Sequence, residues 1–341
     1  MFRIKNIFYL KRLDDNQRFS KHLLEYFSIK LGNKESILMK KVLVLYYSQN
    51  GQLKSVLESF TSTLQDETIQ VDYRAITPKR EYPFPWPFYE FFDEFPESVY
   101  LDGCEIEELE DLADDYDLII LGYTVWYMAP SIPITAFMKS EQAKKVFKDK
   151  PVVSVVACRD MWVLAQEKIK VMLKDVGARH MDHVALTDQG GEVVSLVTLP
   201  TYMLTGKRKY FSFLPPAGIK QEEIEACGRF GARLNQALQE DKEKGSEAML
   251  KGLGACVVNG KLIATEKIAN RSFHIWSKLI KKSGEKYSMG RKVVITIYVA
   301  FLLLLIFTVI PLNIIARKIL NLFQKEKLKA METMYELPSG R

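Results

Sequence analysis

Cysteine is scarce in this chain, with four residues among 341, and no two of them have Cys-x-x-Cys spacing. Zinc ribbons and dithiol redox motifs need that spacing, so both classes are excluded and the four thiols are expected to be reduced. The first 40 residues contain no uninterrupted apolar run followed by a small-residue cleavage site, so no secretory signal is predicted. Walker, kinase and Ser-His-Asp signatures are absent as well.

Positive charge is in small excess and is unevenly placed. The net charge of +6 divides into +4 over residues 1–38, −8 over 39–240 and +10 over 241–341. A basic isoelectric point that comes from the two ends does not indicate nucleic-acid binding, and none is predicted. The composition, 48% hydrophobic and 26% charged, excludes a disordered chain.

One long apolar run lies near the C-terminus. Residues 293–316 contain no charge, and as a helix they would extend about 36 Å, enough to cross a bilayer. We predict a transmembrane helix here, after a basic helical linker over 241–292 and before a basic amphipathic tail over 317–341. A buried core helix and a dip into one leaflet are the alternatives. Six cations lie before the apolar run and five after it, so the positive-inside rule does not decide the orientation of the helix. Because no secretory signal is predicted, we expect the large domain on the cytoplasmic side.

The first 38 residues precede Met39-Lys40-Lys41, after which the first strand begins. Two interpretations stay open for residues 1–38. Either Met39 is the natural start and they are a mis-called extension, or they form a basic, partly helical N-terminal extension.

Between residues 39 and 240, β-rich apolar runs alternate with helical patterns. Strands are predicted at Val42–Ser48, Ile69–Ile76, Leu118–Thr124, Val152–Ala157 and Val184–Thr187. Helices are predicted at Gln52–Leu64, Ile132–Phe147, Met161–Val176 and Gln221–Glu240. This alternation defines the α/β class, a doubly wound five-stranded parallel sheet, here with a C-terminal helical membrane-anchor region. Ligands of such sheets bind at the carboxyl ends of the strands.

A polar loop joins the first strand to a helix. Its side chains and backbone N–H groups suit a single phosphate, and its glycine allows close backbone approach. The loop has neither the lysine of a Walker motif nor the glycine spacing of a dinucleotide turn. An ordinary Asn-Gly turn is the structural alternative. The candidate phosphate residues are Ser48, Gln49, Asn50, Gly51, Gln52 and Leu53.

Aromatic side chains follow the third and fourth predicted strands, where they could flank a planar ring. Ordinary packing is the alternative for both loops. The candidates after the third strand are Thr124, Val125, Trp126, Tyr127 and Met128. Those after the fourth are Cys158, Arg159, Asp160 and Trp162.

The order of these three loops resembles that of the flavodoxin-like family, over about residues 40–240. The resemblance implies FMN as cofactor, its phosphate held by the first loop and its isoalloxazine ring by the other two. It also implies a homodimer. Asn50 and Gln52 depart from the family pattern, because hydroxyl residues are usual at both positions.

Four segments carry a narrower resemblance, to the flavodoxin-like proteins called dialkylresorcinol condensing enzymes. They are MKKVLVLYYSQNGQL, PFPWPFYEFFDEFPESV, GYTVWYMAPSIPITAFMKSEQAKKV and ACRDMWVLAQEKIK. Such proteins occur with dialkylresorcinol and flexirubin biosynthesis. The resemblance implies an aromatase that oxidises a 2,5-dialkylcyclohexane-1,3-dione by hydride transfer to flavin. It further implies a hydrophobic substrate and, as pathway partners, a ketosynthase and an acyl carrier protein.

Aromatisation of such a dione needs a proton acceptor and a stabiliser for the enolate oxygen. Among the loop residues we assign Arg159 as the stabiliser and Asp160 or Tyr127 as the acceptor. An insertion at residues 80–105 has eight aromatics within the 14 residues of Tyr82–Phe95. We predict that it forms a lid; a packed cover or a dimer contact is the alternative.

His180 and His183 form a His-x-x-His pair, but residues three apart on a strand point to opposite faces. With no third ligand in view, no metal site is predicted. Three other functions stay open: a membrane-associated quinone reductase, a non-catalytic electron carrier and a scaffold without flavin. The acidic body suits a carrier, whereas an aromatic cover over the flavin would hinder partner docking.

Overall fold

The computed structural model describes residues 39–309 and 325–340, so the interpretations of residues 1–38 and 310–324 fall outside it. Its long strands are β1 (Lys40–Tyr46), β2 (Ile69–Ala75), β3 (Leu118–Trp126), β4 (Pro151–Cys158) and β5 (Arg179–Thr187). A short strand, Ala129–Pro130, pairs antiparallel with the end of β3.

The helices before residue 206 are α1 (Gln52–Thr61), α2 (Phe88–Asp93), α3 (Phe95–Val99), α4 (Ile132–Met138), α5 (Glu141–Phe147), α6 (Val163–Asp175) and α7 (Gly191–Thr205). Those that follow are α8 (Gln221–Glu225), α9 (Gly228–Gln239), α10 (Gly260–Lys282), α11 (Met289–Leu304) and α12 (Lys325–Tyr335). A π-helical stretch, Leu305–Val309, continues α11.

The five long strands form a parallel sheet in the order β2-β1-β3-β4-β5. This is the flavodoxin-like order, in which the direction of winding reverses between β1 and β3. The predicted α/β doubly wound five-stranded sheet is therefore confirmed. In sheets of this order, ligands bind in a crevice at the carboxyl ends of the strands where the winding reverses. In this chain that position, which we call the crevice, is at the ends of β1 and β3, next to the first two predicted loops.

Burial on both faces explains why the strands are continuously apolar. In β1, Val42 and Val44 belong to one core and Leu43 and Leu45 to the other, and all four are fully buried. The first core lies under α1 and α9, and the second lies under α4 and α6. A Cβ added to Gly231 of α9 would lie 1.9 Å from the carbonyl oxygen of Phe60, so α9 crosses α1 at close range.

Two helices that the sequence predicts as continuous are broken. The predicted helix Ile132–Phe147 divides into α4 and α5 because Ser140 starts a new helix, its hydroxyl accepting from the N–H of Ala143. The predicted helix Gln221–Glu240 divides into α8 and α9 at Ala226 and Cys227.

Residues 241–292, predicted as a linker, pack on the domain instead. Met249 and Leu250 are buried in the first core, and their N–H groups donate to the buried carboxylate of Asp182 at 2.7 and 3.1 Å. Cys256 and Val258 enter the second core. The folded body thus extends well beyond the predicted boundary at residue 240.

The predicted membrane segment begins as α11. Among the described residues one helix is long and apolar enough to cross a membrane, Met289–Thr308, with 20 residues and a mean hydropathy of 2.1. Within the most apolar 18-residue window of this helix 17% is buried, whereas a core helix would be mostly buried.

Candidate functional site

The first loop places the N-terminus of α1 at the crevice. Gly51 precedes the helix with a φ of 81°, a left-handed conformation that favours glycine. A Cβ at this position would meet nothing within 4 Å, so the backbone here borders open space. Asn50 Oδ1 accepts from the N–H of Gln52 at 3.1 Å, and Ser48 Oγ accepts from that of Lys54 at 3.4 Å. Both contacts shape the turn that exposes the start of α1.

The other three candidate phosphate residues, Gln49, Gln52 and Leu53, contact the segments next to this loop or the core. Gln49 Nε2 donates to the carbonyl of Pro83 at 2.9 Å, and Gln52 Oε1 accepts from the N–H of Ile219 at 3.3 Å. Leu53 is buried in the core at 1% exposure. The two amides, predicted as phosphate ligands, therefore hold flanking segments against the loop, and Ser48, Asn50 and Gly51 form its turn.

Four aromatic rings meet beside this loop, and we call them the aromatic cluster: Tyr47, Tyr82, Trp86 and Trp126. The Trp126 ring lies 5.0 Å from Tyr82, 5.6 Å from Trp86 and 6.0 Å from Tyr47 between ring centres, each time edge to face. The first half of the insertion thus covers the ends of β1 and β3. Helix α7 packs against this half of the insertion, where the backbone N–H of Trp86 donates to the carbonyl of Met203 at 2.8 Å.

Tyr127 turns away from the aromatic cluster. It and Met128 have φ values of 50° and 61° and form the tight turn between β3 and the short antiparallel strand. The Tyr127 hydroxyl donates to the carbonyl of Phe91 at 2.5 Å, and its ring lies 4.9 Å from Phe95. Burial raises its pKa well above the usual value. The prediction of Tyr127 as proton acceptor or ring contact is therefore corrected, because the turn directs its side chain into the second half of the insertion.

The rest of this loop has mixed roles. Thr124 Oγ1 is buried and finds no partner among the described residues, so a hydrogen-bonding position is open at the end of β3. Val125 pairs with Pro130 in the short hairpin. Met128 is buried, and its carbonyl accepts from Lys168 Nζ at 3.0 Å.

The loop after β4 places a cation beside carboxylates. Arg159 Nε donates to Ser195 Oγ at 2.7 Å and Nη2 to the carbonyl of Glu192 at 2.8 Å, which aims the guanidinium at the start of α7. Burial lowers the Arg159 pKa, and the nearby carboxylates oppose this. Burial also raises the pKa of Asp160, and a hydrogen bond from Thr187 has the smaller, opposite effect of lowering it. Arg159 and Asp160 thus lie side by side in this loop, and their predicted roles as enolate stabiliser and proton acceptor stay predictions.

Two further residues of this loop are structural. Trp162 is 2% exposed and its ring lies 5.1 Å from that of His183, so its predicted role as a ring contact is corrected to core packing. The Cys158 thiol lies 3.9 Å from the carbonyl of Leu186, and burial raises its pKa well above the usual value.

Sequence reasoning missed Glu266. This α10 residue is fully buried, and its Oε1 accepts from the N–H of Leu164 at 2.7 Å, capping the start of α6 directly after the Arg159 loop. Oε2 is buried without a partner among the described residues. Burial raises the pKa of Glu266 to about 7, against the opposing effect of Lys168. No local pattern could have revealed this pairing, because the partners lie about a hundred residues apart.

The two histidines lie on the same face, which corrects the prediction that they point apart. An irregularity opposite Val152 and Val153 shifts the register of β5 and reverses the alternation between them. His180 Nε2 and His183 Nδ1 both lie against Ser154 Oγ, at 2.8 and 2.9 Å. Burial lowers the pKa of His180 to about 4. No group of three or more potential ligands is placed to hold a metal within residues 39–309 and 325–340.

A surface depression of about 670 Å³ lies elsewhere, at the C-terminal end of α1. Its lining includes Glu58, Ser62, Asp66 and Tyr73. It is at the opposite end of that helix from Gly51, so it takes no part in the crevice.

Several solved structures are similar to this chain. A flavoprotein in complex with FMN from Lactobacillus acidophilus NCFM is 21% identical, with a TM-score of 0.36, over 43% of this chain and 93% of that one. A flavodoxin from the domain Archaea is 11% identical, with a TM-score of 0.33, over 58% and 99%. Oxidised Flavodoxin 1 from Bacillus cereus is 14% identical, with a TM-score of 0.31, over 57% and 95%. With scores this low, the fold class rests on the strand order described above.

No protein-family model and no curated protein matches the sequence.

Proposed function

We propose that this chain is an FMN-binding oxidoreductase. The observation that carries the proposal is the exposed start of α1 at Gly51, beside the aromatic cluster and at the reversal of the sheet. A helix N-terminus with free approach suits a phosphate, and flat side chains suit a flavin ring. The unpaired Thr124 hydroxyl adds a hydrogen-bonding group at the same edge. FMN would supply a two-electron acceptor there.

The residues after β4 supply acid-base chemistry to the same edge. The Asp160 carboxyl, its pKa raised by burial, is suited to take a proton from a carbon next to a carbonyl. The buried Arg159 guanidinium would stabilise negative charge on the carbonyl oxygen. Glu266 replaces Tyr127 as the second candidate acceptor, because one of its oxygens is unpaired.

The finer proposal is the aromatase of dialkylresorcinol biosynthesis, acting on a 2,5-dialkylcyclohexane-1,3-dione at a membrane. The aromatic cluster offers an apolar surface for alkyl chains, and the exposed apolar helix α11 suits an enzyme whose substrate partitions into bilayers. In this proposal a ketosynthase and an acyl carrier protein supply the dione. A quinone reductase is the second candidate, favoured by the same cluster and helix.

Gly51→Ala is expected to weaken FMN binding about tenfold, because a Cβ in the left-handed turn costs roughly 1 kcal/mol and hinders approach of the phosphate. Gly252→Ala is the matched control. Gly252 has a φ of 85° and equally open surroundings but lies away from the crevice. Fluorescence titration of apoprotein with FMN gives both dissociation constants. Equal dissociation constants for the two variants would mean that the phosphate binds elsewhere. If the parent chain did not bind FMN at all, the remaining interpretation would be a scaffold without flavin.

Asp160→Asn is expected to slow oxidation of the dione by about a hundredfold or more, with FMN affinity unchanged. Stopped-flow absorbance follows flavin reduction, and chromatography detects the resorcinol formed under air. Asp114→Asn, at an exposed position, is the control. Unchanged rates in Asp160→Asn, Arg159→Gln and Glu266→Gln would refute the assigned roles. A parent chain that reduces quinones but leaves the dione intact would be a quinone reductase, and one that only exchanges electrons with protein partners would be a carrier.

A further inference from the structure

Helix α11 has one buried and one exposed face, and both are defined by residues at helical spacing. Arg291, Ile295 and Tyr298 are buried, with at most 3% exposure. The opposite side carries a stripe of exposed apolar side chains, which we call the outer stripe. Its members are Met289, Val293, Ile297 and Leu304 of α11 and Phe307 of the π-helical stretch that continues it, with exposures of 73, 56, 54, 60 and 72%.

The buried face is fastened to the domain. Arg291 Nε lies 2.8 Å from Asp93 Oδ1, and its Nη2 donates to Glu97 Oε2 at 2.9 Å. Two turns further on, the Tyr298 ring stacks on Phe95 at 4.8 Å and meets Trp276 of α10 at 5.4 Å. These contacts run along about 10 Å of the helix axis. Over that length lipid can reach α11 only from the outer stripe.

The chain also returns to the same domain after the apolar run. Ser339 Oγ donates to Asp182 Oδ1 at 3.0 Å and accepts from the N–H of His183 at 2.6 Å, in the middle of β5. Glu332 Oε1 accepts from the N–H of Gly260 at 3.1 Å, at the start of α10. A helix that crossed the bilayer once would leave these partners on opposite sides of the membrane. The predicted single span therefore conflicts with the position of the C-terminal segment.

We propose that this protein docks on one face of a lipid bilayer and does not cross it, with the outer stripe entering a single leaflet. The absence of charge from residues 293–316 argues for lipid as the occupant, because the hydrocarbon region of a bilayer accepts an uncharged apolar surface. Lys282 and Lys292, at the adjoining ends of α10 and α11, suit anionic headgroups. The inference concerns membrane attachment and is independent of the proposed FMN chemistry.

Vesicle flotation tests the outer stripe. The full chain, diluted from detergent, is expected to float with phosphatidylcholine vesicles that contain phosphatidylglycerol. The double variant Val293→Glu/Ile297→Glu should partition at least about tenfold more weakly, since charge in the bilayer is costly. Val171→Glu is the matched control, because Val171 of α6 is also 59% exposed but lies on another helix. Equal partition of both variants, or a dimer in light scattering without flotation, would overturn the proposal.

Sidedness separates docking from crossing. Ser246→Cys and Glu326→Cys place thiols at exposed positions before and after the apolar run. Inverted membrane vesicles from an expressing bacterium are treated with a membrane-impermeant maleimide, and peptide mass spectrometry reads each site separately from the native cysteines. Both sites should be labelled before permeabilisation. Labelling of Glu326→Cys only after permeabilisation, with Ser246→Cys labelled before, would show a crossing helix and reject the proposal.

Discussion

Replacing Arg291 with alanine is expected to lower the free energy of unfolding by about 3–5 kcal/mol, since removing one partner of a buried ion pair leaves the other charge unpaired. The partners left behind are Asp93, at 2% exposure, and Glu97. The N–H of Tyr287 still donates to Asp93 Oδ2 at 2.8 Å, which relieves only part of the loss. Denaturant unfolding in mild detergent, followed by tryptophan fluorescence, measures the change.

Lys281→Ala is the control for this prediction. Lys281 also joins α10 to the insertion region, through Asp102, but 36% of its side chain is exposed. A pair this exposed contributes at most about 1 kcal/mol. If Arg291→Ala cost no more than Lys281→Ala, the ion pair would not hold α11 to the insertion, and the case for a docked helix would lose its main support.

The aromatic insertion connects the crevice to this helix. Its first half supplies Tyr82 and Trp86 to the aromatic cluster, and its second half supplies Asp93 and Glu97 to Arg291. Tyr127 belongs to the second half, through its hydrogen bond to Phe91. The insertion is therefore a packed cover in this structure. The insertion thus contacts both the aromatic cluster and α11.

The sheet could be predicted because each strand is a local pattern. The run from Val42 to Leu45 is apolar at every position, and burial on both faces is the physical reason. The same logic located the loops, since the carboxyl ends of parallel strands share one edge. Ser48 to Gly51 and the pair Arg159 and Asp160 lie where that rule puts them.

What could not be predicted depends on contacts between distant parts of the chain. From the sequence, Arg291 is one of the cations that flank the predicted membrane segment. In the structure it pairs with carboxylates that lie nearly two hundred residues earlier, which no local pattern indicates. His180 and His183 share a face only because the strand register shifts between them. Glu266 is one carboxylate among many in the sequence, and only the fold places it at the start of α6.

Glu266→Gln is expected to change how stability depends on pH. The folded pKa of Glu266 is about 7 and its ordinary value is 4.5, so between these values the folded state keeps a proton that the unfolded chain has lost. The stabilisation is fully present below the ordinary pKa and is lost as pH rises through the folded pKa. From about pH 5 to about pH 8 this loss amounts to about 2.5 kcal/mol. Glutamine does not titrate, so the variant lacks it.

The buried His180 changes the pH dependence of stability in the opposite direction. For this reason the parent chain and Glu266→Gln are compared at the same pH. Its folded pKa of about 4 lies below the ordinary 6.5, so it costs stability as pH falls through that window. That cost is common to the parent and the variant, and it cancels in their difference. The difference in unfolding free energy, parent minus Glu266→Gln, should therefore fall by about 2.5 kcal/mol from about pH 5 to about pH 8. Parallel stability curves would mean that Glu266 is ionised across this range and that burial does not raise its pKa.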